Sequence, residues 1–135
     1  MRFALIALAA AITLAGCGTR TKTVMTPGTG AIPARATTGP VCLFAGGLPP
    51  EFKFVEIAKI TSTKRSYGST DEVTRAISAQ ATKLGADAVL NLQAGQRFKG
   101  PLPWRVTSPT GEGSAIRLLP DGPAFNCEAL GGRRS

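Results

Sequence analysis

Apolar positions fall in blocks along this chain, and the spacing inside each block predicts an element. Between Phe3 and Leu14 only Thr13 is polar, an apolar run of secretory-signal length that is too short to cross a bilayer. From Gly18 to Pro40 the pattern is lost: Thr, Gly, Pro, Ala and a few bases surround isolated Val24, Met25 and Ile32. That composition predicts a flexible linker averaging roughly 25 Å from end to end. Val41-Cys42-Leu43-Phe44 then reads as a short strand, stopped by Ala45-Gly46-Gly47 and Pro49-Pro50.

Phe52 to Thr63 reads as a longer strand with one face more apolar than the other, because Val55 and Ile57 alternate with Phe54, Glu56 and Ala58. Lys64 to Gly68 turns the chain. Ser69-Thr70-Asp71-Glu72 has the spacing of a capping box, so a helix is predicted from Thr70 to about Leu84. Val73, Ala76, Ile77, Ala81 and Leu84 would form its apolar face, Arg75, Ser78 and Thr82 its polar one, and Gly85 stands where a left-handed C-cap is wanted. Ala88 to Gln93 is the next strand, making a strand, helix, strand crossover of parallel and right-handed sense. Phe98 to Pro103 reads as a loop. Trp104-Arg105-Val106-Thr107 and Ser114 to Leu119 read as two strands, or one interrupted strand, linked through Pro109-Thr110-Gly111-Glu112-Gly113. The expected fold class is α/β (α+β): a small mixed β-sheet with one α-helix packed on it.

Composition narrows the chemistry. The 135 residues include no histidine, which removes imidazole bases, His metal ligands and His-based triads. The eight carboxylates are scattered, with no two placed as an acid and base pair, and Asp87 suits a turn hydrogen bond better than catalysis. No catalytic residue, metal site or cofactor is expected. Sixteen Lys and Arg against eight Asp and Glu give a net charge of +8, which suits a nucleic acid, an anionic membrane or an acidic protein.

Compartment chooses among these. Met1-Arg2, the apolar run and then Leu14-Ala15-Gly16-Cys17 resemble the signal and lipobox of bacterial lipoproteins. The resemblance implies that residues 1–16 are a cleaved signal peptide and that the thiol of Cys17 takes the lipid, anchoring the chain in a membrane. Several acyl chains, each contributing about 0.8 kcal/mol per buried methylene, make such an anchor stable. Gly18 after the cysteine, rather than aspartate, implies the outer membrane, with the chain facing the periplasm. An exported chain meets little nucleic acid, so none is expected as a partner.

Residues 17–40 would then be the lipidated cysteine and its tether, residues 41–128 the domain, and residues 129–135 a disordered basic tail. With Cys17 lipidated, Cys42 and Cys127 remain as an even pair in an oxidising compartment and are expected to form a disulfide. Arg97, Phe98, Lys99, Trp104 and Arg105 gather cations and aromatics around one Pro/Gly loop. That mixture suits contact with a protein or a lipid headgroup, the plainer alternative being that Phe98 and Trp104 are core and the bases solvated.

Val55 to Ile60, the alanine-rich stretch Ala76 to Leu84, Gly85-Ala86-Asp87-Ala88-Val89-Leu90-Asn91 and Gly113 to Arg117 together resemble the RcsF-like and YbjQ-like small α/β domains, over roughly residues 41 to 119. The chain differs from RcsF in having no cysteine between Phe44 and Asn126. The resemblance implies a non-enzymatic envelope sensor or adaptor working by protein contact. The alternative is a structural subunit of an oligomeric envelope or secretion assembly.

Overall fold

The computed structural model describes residues 18–27, 40–65, 67–101, 103, 106–120 and 122–135, which form one mixed sheet with a helix against it. In chain order the elements are β1 (Thr19–Met25), β2 (Cys42–Leu43), β3 (Phe54–Lys64), α1 (Thr70–Lys83), β4 (Ala88–Lys99), β5 (Val106–Leu118) and β6 (Arg133–Arg134). The sheet order is β1-β3-β5-β4-β2-β6; β2 and β4 pair in parallel and every other neighbouring pair is antiparallel. The expected fold class is therefore the one observed.

The helix ends as its sequence dictates. Gly85 takes a φ of 72°, the Gly85 N–H donates to the Thr82 carbonyl and the Ala86 N–H to the Ala81 carbonyl, which together make a Schellman stop. Its start differs from expectation. Ser69 holds the N-cap position without a side-chain bond: the Glu72 N–H donates to the Ser69 backbone carbonyl, and the Glu72 carboxylate is engaged by Lys64 instead of reaching back. Ser78, expected on the polar face, is buried beside Val73, Ile77 and Ala81, since a single helix packed along a twisted sheet covers a broader stripe than the apolar residues alone.

Ile57, Ala58, Ile60, Val89 and Ala115 carry the sheet's side of the core beneath Ile77 and Ala81. A register shift between Glu56 and Ala58 turns both Ile57 and Ala58 towards the helix, where strict alternation would have exposed one of them. A second shift lies between Leu90 and Gln93, and there Asn91 sits at φ 52°, a conformation in which Asn is the most tolerant residue after Gly.

The β3 and β4 strands run parallel, as the crossover reading requires, yet they are not neighbours: β5 lies between them and pairs with both. The stretch expected to link two strands, residues 109 to 113, lies inside this one continuous strand. Its small residues are there because the helix and the neighbouring strand come close. A Cβ on Gly111 would stand 3.2 Å from Ile77 Cδ1, and one on Gly113 only 2.5 Å from Val89 Cγ1. Pro109 is tolerated because the ladder to β3 stops one residue earlier, at the Thr63 and Thr110 pair.

Two expectations about the ends of the domain are overturned. Thr19–Met25, assigned to a flexible tether, is the edge strand β1, paired over its whole length with β3 from Thr19 opposite Lys64 to Met25 opposite Ala58. Threonine at every second position supplies the β-branched character that the scarcity of large apolar residues concealed. Arg133–Arg134, assigned to a disordered tail, is β6, paired with β2, and the Ser135 N–H donates to the Val41 carbonyl. The expected signal peptide at residues 1–16, Cys17 and residues 28–39 lie outside the described residues.

The face of β2, β4 and β5 turned away from the helix is closed by the C-terminal segment. Cys42 and Cys127 are joined in a disulfide with Cα atoms 5.8 Å apart, amid Phe44, Ala88, Leu90 and Ile116. Phe125 packs edge-on to both Phe44 and Phe52, with ring centroids 6.1 Å apart in each case. The bridge spans 85 residues of sequence, so on chain-entropy grounds it contributes about 4 to 5 kcal/mol. Gly113 gives the sharpest test of the packing. Gly113→Ala should destabilise the protein by about 1 to 3 kcal/mol in urea denaturation, because Val89 has no room to yield.

Candidate functional site

Along β4, β5, β3 and β1 the sheet face away from the helix is not covered by the C-terminal segment, and the register sets its side chains in rows. One row reads Gln93, Glu112, Thr61, Lys22, and the next Gly95, Thr110, Thr63, Arg20. The members of these rows on β3, β4 and β5 line a shallow trough of about 340 Å³, with Arg97 at one end, the side-chain-free Gly95 in its floor, and Lys22 and Arg20 next in register on β1. Lys59 reaches Glu112 at 3.7 Å, both side chains being about half exposed. Threonine hydroxyls and long cations on a stiff, open sheet can hydrogen-bond and pair with carboxylates or phosphates on another molecule.

Beyond this trough β4 and β5 continue as a two-stranded arm, from the Gln96 and Pro109 pair to the Lys99 and Val106 pair. Of the expected contact residues, Arg97, Phe98 and Lys99 lie on this arm and are exposed, Phe98 by 68%. They do not converge on one spot: strand alternation puts Phe98 on the opposite side of the arm from Arg97 and Lys99. Phe98 is therefore not core, whereas Trp104 and Arg105 lie outside the described residues. Arg20, Lys22, Thr61, Thr63 and Thr110 were not among the expected candidates, and the alternation of Thr with Arg and Lys at 19 to 23 is the signal that could have placed the first two on this face.

The groups with chemical potential elsewhere have structural partners. Asp87 Oδ2 accepts the Leu118 N–H at 2.9 Å, fastening the start of β4 to the end of β5. Arg117 donates through its guanidinium to the Gly85 carbonyl at 3.2 and 3.3 Å and so secures the helix stop. Among the described residues every buried side-chain nitrogen and oxygen has a hydrogen-bond partner, and no three His, Cys, Asp or Glu side chains are grouped as metal ligands. No described helix is long and apolar enough to cross a membrane.

Compared with protein-family models, with curated proteins and with solved structures, the chain matches none.

One carboxylate is electrostatically tuned. Glu128 is held below the usual carboxylate range by a backbone hydrogen bond and then by Arg134, whose Nε donates to Oε1 at 2.7 Å, so this pair clips β6 to the turn after Cys127. A carboxyl whose value is lowered on folding favours the folded form at neutral pH, and that preference fades as pH falls through the lowered value. In an NMR titration the Glu128 midpoint should lie below the usual glutamate range. It should move part of the way back in Arg134→Ala, the backbone bond accounting for the rest.

Proposed function

We propose that this is a lipid-anchored protein of the cell envelope that acts without catalysis, as a sensor or adaptor of RcsF-like type, by presenting its open sheet face to an acidic protein surface. The uncovered rows around Thr61 and Thr110 carry the reading: a domain of this size buries one sheet face and half of the other, yet leaves a rigid, hydroxyl-rich, cation-flanked surface in water. The Cys42 and Cys127 disulfide accords with export to an oxidising compartment. The lipobox at Leu14-Ala15-Gly16-Cys17 supports the anchor, and Gly18 supports the outer membrane as its destination.

A structural subunit is the second reading, favoured by one observation: among the described residues β1 is an edge strand of seven residues with no strand paired on its outer side. Such an edge can pair with a second chain, although Arg20 and Lys22 blunt it.

Two measurements test the proposal together. Cells given radiolabelled palmitate should label the native chain and not Cys17→Ala. A photo-crosslinker placed at Thr61 in cells should join the protein to a partner in native chains, and Lys22→Glu should reduce that product while leaving the thermal midpoint unchanged. Crosslinks between copies, with a fixed oligomer by light scattering, would establish the subunit reading instead. Crosslinks unaffected by the charge reversal would place the contact off this face.

A further inference from the structure

Folding of Thr19–Met25 into β1 decides which end of the sheet lies next to Cys17. Two peptide units separate Cys17 from Thr19, so the two Cα atoms are at most about 7.6 Å apart however residues 17 and 18 are arranged. The register then identifies what stands at that end. Thr19 is opposite Lys64 and Arg20 opposite Thr63; Thr63 is opposite Thr110, and Thr110 opposite Gly95. From this row the arm of β4 and β5 runs on from Gly95 to Lys99, roughly 13 Å farther. The connection from β3 to α1, Lys64 to Ser69, turns back at the same end.

The chemistry of that end is distinctive. Arg20, Arg65, Arg97 and Lys99 are all exposed, and so are the rings of Tyr67 and Phe98, each by 68%. Of the carboxylates nearby, Glu72 is paired with Lys64 and Asp71 lies in the first turn of the helix, so positive charge predominates. The aromatics stand on firm supports. Gln96 Nε2 donates to the Gly68 carbonyl at 3.0 Å, tying the loop that carries Tyr67 to the arm that carries Phe98. Aromatic rings beside arginine and lysine are the combination that settles at a membrane interface, with the rings at the headgroup level and the cations among lipid phosphates.

We propose that this end of the sheet is a second membrane contact, in which the arm and the Tyr67 loop enter the headgroup layer of an anionic bilayer. The geometry rests on the anchor reading, since a lipid on Cys17 brings this end, and not the opposite one, to the surface. Lipid is favoured over a protein as occupant because the cations and rings cluster at the one edge of the domain that a short link holds against the membrane. The domain then stands on its strands, with the trough facing sideways and accessible from the periplasm. Anchor and arm together fix an orientation that one lipidated residue on a long tether could not.

The single tryptophan, Trp104, falls in sequence between β4 and β5 and reports on the arm. The purified protein is mixed with vesicles of phosphatidylcholine alone, or of equal parts phosphatidylcholine and phosphatidylglycerol, each with or without chains brominated near the headgroup. In the anionic vesicles Trp104 emission should move to shorter wavelength and be quenched by the brominated lipid. Arg97→Glu with Lys99→Glu, and separately Phe98→Ser, should reduce both effects to the level in phosphatidylcholine, with circular dichroism unchanged. Equal quenching in the two vesicle types, or quenching retained in both variants, would overturn the proposal. So would an arm that crosslinks to a protein in cells and shows no bromolipid quenching. Palmitate labelling separates the two readings: quenching without label would remove the anchor and keep the contact, and label without quenching would do the reverse.

Discussion

A sheet that buries apolar residues on both faces needs a cover on each, and the described residues have a single helix to offer. The α1 helix closes one face over Ile57, Ile60 and Val89. The other, under Phe44, Leu90 and Ile116, is closed by a segment with almost no regular structure, whose hold on the sheet is the Cys42 and Cys127 bond. The placement of Phe125 against two other rings, the turn at Cys127 to Gly131 and the pairing of β6 with β2 all follow from that crosslink. Gly132 shows how tightly it fits, since a Cβ there would collide with Cys42 Sγ and approach Phe44 Cε1 to 2.8 Å.

The C-terminal cover is also what defines the open surface. It spans β2, β4 and the near end of β5, and stops short of the rows that include Thr61, Thr110 and Gln93. Among the described residues nothing covers those polar rows, and on the arm beyond them Arg97, Phe98 and Lys99 of β4 are exposed while Ser108 and Pro109 of the β5 strand opposite are buried. A half-covered sheet thus yields a stable core, an open polar face and a projecting arm from one short chain.

Much of this was legible in the sequence where local signals and burial agree. The helix from Thr70, its stop at Gly85, the strands at 42 and 54, and the cysteine pairing were all readable from spacing and capping chemistry. Misreadings came where a residue's role depends on something distant. Gly111 and Gly113 suggest a turn until the helix and Val89 are known to press against them. Thr19 to Met25 suggests a linker because its partner strand lies about forty residues away and its own apolar content is low. Arg133 and Arg134 suggest a frayed tail until the disulfide brings them to β2. The candidate surface was legible only in part: Arg97, Phe98 and Lys99 stand out as a cluster, but the trough depends on cross-strand register, which no single segment encodes.

On the proposed Cys17 anchor, position relative to the membrane turns on β1. A tether of the residues after Cys17 would let the domain stand away from the lipid, whereas a strand starting at Thr19 would hold it close and present one defined end. Hydrogen exchange of the protein in its own membranes, resolved to residues 19 to 25, tests this most directly. The account predicts slow exchange at alternate amides of Thr19–Met25, those bonded to β3, at rates comparable with the edge of the sheet. Exchange at the unprotected rate throughout that stretch would return it to a tether and contradict the account.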